Sequence, residues 1–172
     1  MNFKKNIIAF VVIGLLGTLG HFLYEWTNEN FLVGLFFPVS ESIWEHLKLL
    51  FYPTILYSAV EYLFTKEKPK NYASAVVLPL IYGMFFIVAA YYIYTGIIGR
   101  DIDFFNILIF FLSIIIFIIK RNKLIKKGKF SGGIFNSIFL IIVLILMILF
   151  GYWSHNPPSL GIFMQPTPIV LT

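Results

Sequence analysis

A chain of 172 residues that is 59% hydrophobic, 19% aromatic and only 12% charged carries more apolar surface than a soluble domain can bury, because such domains are roughly a quarter charged. It contains no cysteine, which excludes disulfides, thiolate metal sites and cysteine nucleophiles. The formal net charge of +5 raises nucleic acid or anionic lipid as partners, and the placement of the charges decides between them.

About 20 apolar residues suffice to span the hydrocarbon core as a helix. Five such segments are expected, at residues 7–24, 41–64, 72–94, 104–120 and 134–153, in one integral membrane domain covering 1–172 with a tail at 156–172. The first follows Lys4 and Lys5. Without a small-residue cleavage site it reads as a retained helix rather than a secretory signal. Gly14, Thr18, His21 and Glu25 trace one stripe of it, with small residues that admit a neighbouring helix.

The second segment opens with PVSESIWEHLKLLFYP, residues 38–53. Ser42 followed three residues later by Glu45 has the form of a capping box. Glu41 and Glu45 would share a helical face, with His46 about 100° from Glu45. Pro53 is expected to kink the span. Glu61, near the opposite end, reads as a snorkelling acid.

The last two helices are nearly pure Ile, Leu and Phe, with no polar group for chemistry in their middles. The fifth ends in GYWSHNPPSLG, where the double proline stops the helix just after His155. The tail beyond, with Leu160, Ile162, Phe163, Met164 and Ile169, has the composition to fold back over that face.

Orientation follows from the basic residues. With the N-terminus in the cytoplasm, 11 of the 13 Lys and Arg fall inside, giving +9 there and −4 outside. The chain is therefore expected N-in and C-out, as a multi-pass protein of the cell membrane. Its basic face suits anionic lipid at about 1 kcal/mol per basic side chain, and nucleic acid is not needed to account for it. Tyr24, Trp26, Trp44, Tyr52, Tyr92, Tyr94, Tyr152 and Trp153 gather near the predicted outer boundary as headgroup anchors.

The P-V-S-E-S-I-W-E-H-L-K element and the late W-S-H-N-P-P element resemble an uncharacterised family of small integral membrane proteins of low-GC Gram-positive bacteria. That resemblance implies membrane location and no particular activity. A looser similarity is to membrane hydrolases that bind zinc through histidines from several helices, whose Asp and paired-His spacing this chain lacks.

All three histidines, His21, His46 and His155, fall at the predicted outer face. They are the candidate ligands of a divalent metal such as zinc. Glu45 and Glu25 are the candidate general bases, and Glu41 and Ser42 complete the polar site. Three readings stay open: a metal-dependent hydrolase acting on a lipid or small molecule, an outward-facing ion or small-ligand binding or transport protein, and a structural membrane protein.

Overall fold

A computed structural model describes residues 3–166. Among the described residues the fold is an all-α bundle of six helices: α1 (Phe3–Trp26), the short α2 (Phe31–Gly34), α3 (Ile43–Phe64), α4 (Tyr72–Ile98), α5 (Asp103–Lys127) and α6 (Gly133–His155). A 3-10 turn follows at Gly161–Phe163.

Four of these helices, α1, α4, α5 and α6, are long and apolar enough to cross a membrane. The fifth long helix, α3, has 22 residues, or about 33 Å at 1.5 Å per residue. It is not among the four because it carries Glu45, His46, Lys48 and Glu61. The bundle buries its first half, with α1, α4, α5, α6 and the 3-10 turn all packed against the helix, while Leu56, Val60, Leu63 and Phe64 of its second half are exposed. The core forms around it from Leu47, Leu50 and Phe51 with Leu80, Ile114, Phe117 and Phe150.

Helices α4 and α5 run past their apolar stretches, to Ile98 and Lys127, because the stop signals lie further on. Gly99 and Gly128 take the left-handed conformation there, at φ 78° and 61°, which ends a helix at little steric cost only for glycine. The extension of α5 corrects one expectation. It carries Arg121 round to the bundle side, where the guanidinium pairs with Glu61, and Tyr72 Oη donates to the same carboxylate at 2.8 Å. Glu61 is thus an ion-pair partner rather than a snorkelling acid.

Helix α3 continues unbroken through Pro53. A proline has no N–H to offer the carbonyl four residues earlier, here that of Leu49. Gly17 of α1 fills the space, so close that a Cβ there would stand 2.7 Å from Leu49 O. The missing side chain sets the spacing of α1 and α3, with a Cα–H facing a carbonyl that proline leaves unbonded.

Trp44 departs from its expected headgroup role. Its ring is 9% exposed and packs against Phe150, Trp153 and Phe163 at centroid distances of 4.7–5.0 Å. The described part of the tail, to residue 166, folds back and delivers Phe163 to that cluster. Ile169, the last of the residues expected in the cover, lies outside the described residues.

Candidate metal centre

Ser42 caps α3, its hydroxyl accepting from Glu45 N at 3.3 Å. The reciprocal half of the capping box differs from expectation, because the Glu45 carboxylate accepts from Val39 N at 2.9 Å. Since the helix starts at Ile43, Glu41 precedes the cap and is released from helical register with Glu45. Its carboxylate turns instead toward His46, with Oε2 3.3 Å from His46 Nε2 and 3.7 Å from His21 Nε2.

The two imidazoles face each other across the α1–α3 contact, Nε2 to Nε2 at 3.3 Å. His46 Nδ1 lies 2.9 Å from Ser42 O. A carbonyl only accepts, so Nδ1 bears the proton; in charged His46 the Nε2–H donates to the Glu41 carboxylate, and in neutral His46 the Nε2 lone pair is free to ligate. Fixing a ring through its second nitrogen in this way is what orients metal-ligating histidines. The three donor atoms of His21, Glu41 and His46 all lie within 4.8 Å of one another. Hydrogen bonding to His46, and secondarily the positive charge available on the two imidazoles, holds the Glu41 carboxyl below its ordinary value of 4.5.

The other residues expected at the site go elsewhere. Glu45 is 2% exposed and belongs to a separate buried network. Its Oε2 accepts from Lys48 Nζ at 2.8 Å and its Oε1 from Ser154 Oγ at 2.7 Å. Lys48 also donates to Gly34 O and Phe37 O, at 2.7 and 3.2 Å. The network ties α2, α3 and α6 together and engages both oxygens of the Glu45 carboxylate. His155 is exposed and stacks on Phe31 at 4.4 Å, and Glu25 is exposed near the end of α1. Neither belongs to the three-residue cluster.

The i,i+3 spacing of Glu45 and Lys48 already allows their pairing, whereas Ser154 was not expected there, although a signal for it was present. Val143, Phe150 and Ser154 recur at helical spacing along the buried side of α6, as do Trp44, Lys48 and Phe51 along α3. Carrying those stripes to the helix ends turns Ser154 and Lys48 inward, and their neighbours His155 and His46 away from them.

The cluster stands at the mouth of a cleft of about 450 Å³ between α1, α3, α4 and α5. Its polar rim also includes Asp101, Asp103 and Asn106. Asp101 Oδ1 lies 2.5 Å from Tyr94 Oη and accepts from Asn106 Nδ2 at 2.8 Å. Below the rim the walls are apolar, formed by Leu49, Ile87, Ile109, Phe110 and Phe111.

A family model matches residues 1–167, nearly the whole chain. The chain belongs to DUF6512, a family of unknown function. No curated protein and no solved structure matches it. The matched span includes His21, Glu41 and His46, and the family assigns no chemistry to them.

Proposed function

We propose that the protein is a membrane metalloprotein in which His21, Glu41 and His46 hold one divalent cation, zinc first among the candidates, facing the exterior of the cell membrane. The observation that carries this reading is the separation of the donor atoms. Ligands at about 2.0–2.1 Å around a tetrahedral ion stand about 3.3–3.4 Å apart, and the three separations are 3.3, 3.3 and 3.7 Å. Two imidazoles and one carboxylate leave a fourth position for water, which is the pattern of hydrolytic rather than structural zinc.

The reaction this supports is hydrolysis at the mouth of the cleft. A cation there would lower the pKa of its water toward about 7. Asp101, held in the same rim by Tyr94 and Asn106, is the candidate general base, in place of Glu45, whose carboxylate is committed to Lys48 and Ser154, and of Glu25. The exterior assignment rests on the basic residues gathered at the opposite end of the bundle.

The test is metal content and zinc titration of detergent-purified protein. The expected result is about one equivalent per chain in the wild type and in His155→Ala, and loss in His21→Ala and His46→Ala. Retention of zinc by both His21→Ala and His46→Ala, or no binding by the wild type, overturns the reading. The cluster would then be a hydrogen-bonded tie between α1 and α3.

A further inference from the structure

The geometry points to a membrane lipid as the occupant of this cleft, with one acyl chain between α1 and α5 and the polar linkage of its headgroup at His21, Glu41 and His46. The placement of the linkage rests on the proposed metal site; the seating of the acyl chain does not.

Three features select a lipid over a water-borne ligand. The first is the shape of the opening. Thr18 and Phe22 on α1 and Ile107 on α5 line the cleft and are themselves exposed, Phe22 at 42% and Ile107 at 58%. Both helices are of membrane-spanning length and composition. Their exposed flanks face hydrocarbon, so the gap between them opens sideways into the bilayer.

The second is the roof. The chain after α6 folds back through the 3-10 turn against Trp44 and Trp153, and Pro166 reaches the lining of the cleft. The aqueous side is thus partly covered where the bilayer side is open.

The third is the polarity gradient. On α5 the lining runs from Asp103 at the rim to Phe111, about 12 Å along the helix axis. Polar groups are confined to the upper end, and the lower end is closed by Phe110, Phe111 and Leu49. A hydrocarbon core is about 30 Å thick, so the cleft reaches well into one leaflet, as an acyl chain does from its headgroup. Its volume falls within the 300–1,000 Å³ usual for small-molecule sites.

The experiment uses the full chain in nanodiscs made with a phospholipid bearing a photoreactive diazirine midway along one acyl chain. Crosslinked residues are mapped by mass spectrometry in the metal-free and the zinc-loaded protein. Crosslinks at Phe110, Phe111 and Leu49 should exceed those at Ile148, a freely exposed residue of α6, by about tenfold, the ratio that 1.4 kcal/mol of preference produces. Thr18→Trp, which narrows an exposed edge without entering the packed core, should remove the cleft crosslinks and leave those at Ile148 unchanged.

His21→Ala and His46→Ala should keep the acyl-chain crosslinks even though they lose zinc. The metal reading and the lipid reading therefore fail separately. Cleft crosslinks no more frequent than those at Ile148, or a cleft signal indifferent to Thr18→Trp, would overturn the lipid proposal whatever the metal content.

Discussion

Glu45 and His46 are adjacent in the chain, yet their side chains enter different networks. Glu45 points into the bundle and pairs with Lys48 at 2.8 Å, while His46, about 100° further round the helix, meets His21 at the cleft mouth. One turn of α3 thus supplies an internal brace on one side and the candidate ligand on the other. The brace holds the turn from which the ligand projects, and the two are separable by mutation.

The brace should be costly to break from either side. Lys48→Met leaves the Glu45 carboxylate buried without its cation, and Glu45→Leu leaves the ammonium. Removing one member of a buried pair costs about 3–5 kcal/mol, whereas replacing both with apolar residues of similar volume is often near neutral. Unfolding of each single variant and of Glu45→Leu/Lys48→Met, followed in mild detergent by titration with a denaturing detergent, should show the double variant more stable than either single one. Additive losses would mean that the pair is not coupled.

Gly17 should tolerate no side chain. In Gly17→Val the new Cβ meets Leu49 O, a backbone atom that cannot turn aside, and the tip of the Phe110 ring, 2.5 Å from the Cβ position. Overpacking of this kind typically costs about 1–3 kcal/mol. Because α1 must then draw away from α3, the variant should also weaken zinc binding without altering any ligand. Thermal stability and zinc affinity falling together would confirm that the close approach sets the ligand spacing; unchanged affinity would separate the two.

Zinc affinity should depend on pH through the histidines first. An ordinary histidine is protonated below about pH 6.5, and protonation removes the lone pair that binds metal. Glu41, held below its usual 4.5, remains a carboxylate throughout that step. A group whose folded pKa is depressed contributes stability above its unfolded value and loses it as pH falls through the folded one. The Glu41 contribution should therefore be intact at about pH 6 and be lost only as pH falls past 4.5 and through the lower folded value. Zinc titrations between pH 5 and 8 should show affinity dropping toward the acid end with proton uptake on release, and flat affinity across that range would contradict histidine ligation.

A C-terminal reporter that is active only in the cytoplasm should be silent, since the distribution of basic residues predicts an external C-terminus. A bright signal would put the His/Glu cluster on the cytoplasmic side. The external assignment of the site would then be lost, with its geometry unaffected.

Much of this protein can be read from its sequence, because the dominant physics is local. A run of 20 apolar residues has to become a helix when no water is present to satisfy its backbone. The bundle, the cap at Ser42 and the candidacy of His21 and His46 all follow from such rules or from short-range spacing. What the sequence did not supply was the partner that each polar residue at a helix end would find. Glu41 joins the histidines because the helix begins two residues after it, and Glu45 does not because Lys48 and Ser154 claim it. Ser154 rather than His155 completes the interior because α6 meets α3 along the Val143–Phe150 stripe. These choices depend on contacts between residues more than 100 positions apart. Only the packed bundle decides them, since a buried charge must find its partner wherever the fold has placed it.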